Sequence, residues 1–185
     1  KMAKKLMADA GYPDGFKMTI HGPNDRYIND AKIAEALAQM LNRVGIEASV
    51  ETMPKAVYFK RASRGGPNKS PEFSFMLLGW GAGSGEASSP LKALLHTYDK
   101  SKGLGAANRG RHSDAEVDKL VKQALATVDA DARGALLAKA TEKAVGENYG
   151  VIPMHYQVNT WAAKAGYKYL PRTDERTIVT GLSKN

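Results

Sequence analysis

No cysteine occurs among the 185 residues, which excludes disulfides, thiolate nucleophiles and cysteine-ligated zinc or iron–sulfur sites. No apolar run approaches the roughly 20 residues that cross a bilayer, and no charged N-terminal stretch leads into a signal-type apolar core. Low-complexity tracts and long blocks of like charge are missing too, so the composition reads as a folded chain, not a solvated tail. The first residue is Lys1, in what reads as mid-helix, and the expectation is a piece of a longer polypeptide.

What is present is 43% hydrophobic and 25% charged, near globular averages and enough for one domain or one lobe of something larger. The formal net charge of +8 raises nucleic acid as a partner. Binders of that kind gather Lys and Arg into a stripe. Here they are dispersed among acidic residues except in "KMAKK" and "NRGR", so no nucleic acid is expected.

Periodicity orders the chain. A short amphipathic helix over Lys1–Ala10 stops at Gly11. Phe16, Met18 and Ile20 alternate with polar residues as in a half-buried strand. Ile33, Ala34, Leu37, Met40, Leu41 and Val44 form a helical stripe, with Asn29 or Asp30 as cap. Ile46, Ala48 and Val50 then mark a second strand, giving a parallel βαβ unit. Pro54 opens a helix over "KAVYFKRAS", and "FSFMLLGW" reads as a central strand buried on both faces. A short helix follows in "SSPLKALLHTY", and a longer one carries Val117, Leu120, Val121, Ala124 and Leu125, with Ser113 and Glu116 as a capping box. Another turns Leu136, Leu137, Ala140 and Ala144 inward, and "YGVIPMHYQVNTWAAKA" reads as an edge or irregular strand. The fold class is α/β, a mixed sheet flanked by helices.

The strand, glycine turn and helix around "LLGWGAGSGEASSP" invite a phosphate loop. The detail rejects it: Gly85 is followed by Glu86 where Lys and Ser or Thr are needed, and Gly81, Gly83 and Gly85 space as G-x-G-x-G. Ser84 lacks flanking glycines at the hydrolase-elbow positions. His21, His96, His112 and His155 are too dispersed for a local metal pair and read as surface or loop residues; no metal or cofactor is expected. What survives is physical. Glycines open backbone N–H groups to a ligand, Trp80 offers a flat wall, and ligands of open α/β sheets sit outside the carboxyl ends of strands. The contrary reading packs Trp80 in the core and leaves the glycines as simple turns.

The order of motifs resembles the family 5 extracellular solute-binding proteins, the peptide, nickel and opine receptors of bacterial ABC transporters. It runs from Ala3–Phe16, similar to the family's "LL-x-x-AGYP-x-GF", through "IAEALAQMLNRVGIEASVE" to "LLGWGAGSGEASSPL", "NRGRHSDAEVDKLVKQALATVD" and "VIPMHYQVNTWAAKAG". The resemblance implies that residues 1–185 are the C-terminal ligand-binding lobe of a type II periplasmic-binding-protein-like receptor. It implies solute capture, of a dipeptide or oligopeptide first, without covalent chemistry. The partners would be the solute, the permease subunits and a missing N-terminal lobe, and the location periplasmic or extracellular at the membrane. Trp80 matches the cleft-lining Trp, with Gly81, Gly83, Ser84 and Glu86 beside it; Asn108 and Arg109 fall in the "N-x-G-R-x-S" loop. Two departures stand out: Gly83 replaces an Asp that meets the peptide amino group in similar peptide binders, and Leu77 replaces a basic residue found in some oligopeptide binders. The alternative is a hydrolase or other enzyme with a strand-end site around Glu86 and His112.

Overall fold

The computed structural model describes residues 1–83, 85–172, 174 and 176–184. By contact the chain divides into two compact units, residues 1–79 and 80–185.

The first unit is built on the βαβ pattern. Helix α1 (Met2–Asp9) leads to β1 (Lys17–Pro23), α2 (Asp30–Asn42), β2 (Glu47–Met53) and α3 (Lys55–Arg64). The two strands pair in parallel, in register from Lys17 with Glu47 to Pro23 with Met53. Ile20 of β1 packs with Ala34 and Ala38 of α2, flanked by Leu37, Leu41 and Val50. Small residues at the helix contact let its axis approach the strands. Complete burial of a side chain like that of Ile20 stabilises by about 1.5–3 kcal/mol. Met40, expected inward, is 55% exposed. At the start of α2, Asn29 takes a left-handed conformation and makes no side-chain cap. The buried Asp30 carboxylate instead accepts the N–H groups of Arg26, Tyr27 and Ala31.

The run "FSFMLLGW" is not the expected central strand. The chain bends at Ser74 and Phe75, and only Met76 bridges β1, through the N–H of His21 to Phe75 O and the N–H of Leu77 to His21 O. The Tyr58 hydroxyl takes the carbonyl of Leu77 at 2.6 Å, removing an acceptor from any further ladder. Phe73 and Leu77 are still buried, Phe73 stacking on His21 and Tyr58.

In the second unit α4 (Ser88–Pro90) passes into a π-helical turn over Leu91–Leu95. Helices α5 (Ala115–Ala126) and α6 (Ala130–Thr141) pack as a hairpin, α6 continuing as a π-helical turn over Glu142–Glu147. Val117, Val121 and Ala124 meet Leu137, Ala140 and Ala144, with Leu91 and Leu95 closing the cluster. The cap of α5 is Asp114, which accepts from the N–H groups of Glu116 and Val117. It displaces the expected Ser113 box because its carboxylate sits one residue nearer the helix, leaving the Ser113 hydroxyl to bond that of Thr97. The stretch 149–165, expected as an edge or irregular strand, holds no helix or strand. Beyond it, β3 (Tyr167–Tyr169) and β4 (Leu182–Lys184) form a separate antiparallel pair. Parallel and antiparallel pairing thus both occur, in different sheets.

Candidate functional site

The apolar run that docks beside β1 ends at Gly79, and its last glycine answers to packing within the unit. A Cβ at Gly79 would stand 2.7 Å from the Tyr27 ring, and the Tyr27 hydroxyl donates to the Gly79 carbonyl at 3.2 Å. The next residues behave differently. Trp80 is 45% exposed, so its indole is not a core side chain. A Cβ at Gly81 or Gly83 would meet nothing within 4 Å. Neither glycine has a left-handed φ; Gly85, at φ +75°, does, and its N–H closes a turn onto Ala82 O. Ser84 lies outside the described residues.

Glu86 is anchored. Its carboxylate accepts from the Ser88 hydroxyl at 2.6 Å and from Arg133 Nε at 2.9 Å. These bonds, the Ser88 one foremost, hold its pKa below the usual carboxylate value. Arg133 also donates to the carbonyls of Thr127 and Val128, so one guanidinium ties the glycine loop to the α5–α6 connection. Nothing in the sequence pairs positions 47 apart, and Arg133 is the residue that sequence reasoning missed.

Asn108 is buried and its amide is fully engaged. Nδ2 donates to His96 O at 3.0 Å and His112 O at 2.7 Å, while Oδ1 accepts the His112 N–H at 3.0 Å. Arg109 beside it is partly exposed. The structure therefore gathers the candidates into two groups, Glu86 with Ser88 and Arg133, and Asn108 with His96 and His112, which share no hydrogen bond among the described residues.

His96 and His112 are less superficial than expected, whereas His155 is exposed. His96 is 2% exposed, its Nδ1 lying 2.8 Å from Thr97 O and 3.3 Å from the Asp118 carboxylate. His112 sets Nδ1 2.7 Å from Leu95 O. A carbonyl oxygen at each Nδ1 makes that nitrogen the N–H donor of its ring. The other ring nitrogen, Nε2, is buried without a hydrogen-bond partner in both His96 and the half-buried His112. Among the described residues no group of three His, Asp or Glu side chains is placed to hold a metal ion, and no helix is long and apolar enough to cross a membrane.

The family model of the bacterial extracellular solute-binding proteins, family 5 Middle, matches residues 1–102. Glutathione-binding protein GsiB of Escherichia coli (strain K12) is 30% identical over 154 residues, 82% of this chain and 29% of that protein. Heme-binding protein A of Haemophilus influenzae is 28% identical over 144 residues, 75% of this chain and 24% of that protein. The chain thus spans under a third of these curated relatives' length. Among solved structures, HbpA2 from Haemophilus parasuis superposes with a TM-score of 0.79 at 23% identity, covering 100% of this chain and 35% of that one. The periplasmic binding protein DppA from Helicobacter pylori, in complex with the peptide STSA, superposes with a TM-score of 0.63 at 27% identity, covering 75% and 25%. The architecture is that of periplasmic binding proteins, and the chain belongs to the bacterial extracellular solute-binding proteins of family 5.

Proposed function

We propose that residues 1–185 are the C-terminal lobe of the substrate-binding component of a bacterial ABC importer, and that residues 80–86 form the lip of its inter-lobe cleft. The observation that carries this reading is an exposed indole followed by glycines with no internal cause: Trp80 is half exposed, and Gly81 and Gly83 have nothing within 4 Å of an added Cβ. Bare backbone lets a ligand approach N–H groups, and the indole supplies an apolar wall with a donor edge.

The solute is of the dipeptide or oligopeptide class, in line with the peptide bound by DppA from Helicobacter pylori. Gly83 offers no carboxylate to an α-amino group, and the Glu86 carboxylate is held by Ser88 and Arg133. Recognition of a charged amino end therefore falls to the N-terminal lobe. In this reading Asn108 positions its loop and Arg109 stands nearest the solute. The loaded receptor, periplasmic or extracellular, docks on the permease subunits.

No covalent step is proposed. Glu86 is an ionised, paired carboxylate with its pKa lowered, a poor general base and no acid at neutral pH. The Nδ1 of His112 is committed to a backbone carbonyl.

The test uses the full-length receptor. Small molecules carried through purification are identified by mass spectrometry, and one of them is expected to change the tryptophan fluorescence, with Trp80→Ala losing at least about tenfold in affinity, the worth of roughly 1.4 kcal/mol. Unaltered affinity removes Trp80 from the site. Turnover of a peptide or ester that vanishes in Glu86→Gln establishes the enzyme instead, and a natural polypeptide of only 185 residues ends the lobe reading.

A further inference from the structure

Between the first π-helical turn and α5 the chain is pinned at several points. The N–H groups of Gly105 and Ala107 bond the carbonyls of Lys92 and Ala93, and Asp99 and Leu104 exchange N–H and carbonyl groups. Asn108 holds the backbone of His96 and His112. The side chains on this anchored loop are strongly basic: residues 98–112 carry Lys100, Lys102, Arg109 and Arg111 against one acid, Asp99. Asp99 is taken by Lys102 Nζ at 2.9 Å and the Ser101 hydroxyl at 2.6 Å. The acids that follow are committed too: Asp114 to the first turn of α5 and to Asn148, Glu116 to Lys143, and Asp118 to the N–H of Thr97.

Arg111 stands out in this loop. Its guanidinium carbon lies 4.2 Å from the centre of the Tyr98 ring. Nη1 makes one long contact, 3.4 Å, to the Asn108 carbonyl, and no ion pair reaches Arg111 or Lys100 among the described residues. The Arg111 backbone has φ +57°, a left-handed conformation that a side chain with a Cβ adopts at a cost. An arginine serving only solubility would need neither that conformation nor a ring beneath it. Seated over the ring, the guanidinium keeps most of its five N–H donors for another acceptor.

We propose that Arg111, seated on Tyr98 and joined by Lys100, is a binding site for a phosphate group, free or on the headgroup of an anionic phospholipid, and that it is separate from the solute lip at residues 80–86. The planar fork of an arginine matches two phosphate oxygens at once, and a lysine adds a point charge. Four cations against one acid suit a multiply charged oxyanion better than a lone carboxylate.

The test follows the backbone amides of residues 109–113 of the full-length receptor by NMR. Sodium phosphate at constant ionic strength is expected to shift them saturably, and sodium chloride is not. Arg111→Gln should abolish the shift, and Arg111→Lys, which lacks the fork, should weaken phosphate binding by at least about tenfold. Tyr98→Leu should weaken it by about threefold, and Tyr98→Phe should keep it. In a second arm the receptor is sedimented with vesicles of phosphatidylglycerol and phosphatidylcholine. A saturable phosphate shift assigns the free ion; vesicle binding that Arg111→Gln removes, without a phosphate shift, assigns the headgroup. Neither response overturns the inference, and so does either response when it is unchanged in Arg111→Gln. The solute-dependent fluorescence is read in parallel and should be normal in Arg111→Gln. Its loss there would place Arg111 in the solute site and overturn the separate site.

Discussion

Arg133 Nε donates to Glu86 Oε2 at 2.9 Å, joining the end of the glycine loop to α6 across 47 residues of sequence. Both side chains are about a third exposed, so the pair orients the loop more than it stabilises the fold. Arg133→Met is expected to lower the thermal midpoint more than Glu86→Gln. The first also strands the carbonyls of Thr127 and Val128, whereas a glutamine still accepts from Ser88 and Arg133. The pH dependence has a definite sign. Ser88 and then Arg133 lower the Glu86 pKa from 4.5, so its contribution is complete above that value and is lost as pH falls through the lower folded value. Thermal melts of Glu86→Gln should converge on the parent protein in acid.

Asn108 tests the other grouping. Its three hydrogen bonds hold the backbone of His96 and His112 inside the unit. Asn108→Ala leaves the buried carbonyl of His96, the half-buried carbonyl of His112 and one N–H without that partner, for an expected loss of about 3 kcal/mol in denaturant unfolding. Asn108→Asp should be worse at neutral pH, because a carboxylate would face two carbonyl oxygens. It should recover partly in acid, where protonation restores one donor. A loss within about 0.5 kcal/mol for both variants would mean that the loop is held by other contacts.

Sequence periodicity located β1, α2, β2 and α3 to within a few residues because their signals are local: alternation, a helical stripe, a proline at a helix start. It misassigned Phe73–Trp80 and the stretch from Tyr149, and the reason is the same in both. A strand is completed by a neighbour, and apolar content cannot say whether one exists. Around Met76 the neighbour gives a single bridge, and around Tyr156 the described residues give none. The sequence left Trp80 open between a cleft wall and a core side chain, and the structure leaves it 45% exposed. The anchoring of Glu86, the engagement of Asn108 and the burial of His96 were not legible, since each depends on residues brought from 12 to 47 positions away.

Arg61 joins Glu51 of β2 and Glu72 in the first unit, and it lies over the Phe73 ring at 5.1 Å. Its hydrogen bonds are the main reason that both carboxylates titrate below 4.5, and its own pKa is raised in return. Depressed carboxylate values place the stabilisation above pH 4.5 and remove it as pH falls. Arg61→Met should therefore reduce the urea midpoint at neutral pH and flatten its decline toward about pH 3. A variant whose midpoint declines as steeply as the parent's would show that other carboxylates govern the acid limb.

Glycines at Gly83 and Gly105 separate a site requirement from a folding requirement. Gly105 has φ +60°, and an added Cβ would lie 2.4 Å from His96 O and 2.8 Å from Tyr98 Cα. Gly105→Ala is expected to cost more than about 2 kcal/mol, since both the conformation and the backbone contact oppose it. Gly83 has neither constraint, so Gly83→Ala should leave stability within about 0.5 kcal/mol of the parent. In the full-length receptor the same Gly83→Ala change should weaken solute binding by about tenfold if the ligand approaches the bare backbone there. Stability intact with binding lost assigns the glycine to the ligand; both intact would move the contact to the neighbouring Gly81 or to Trp80 alone.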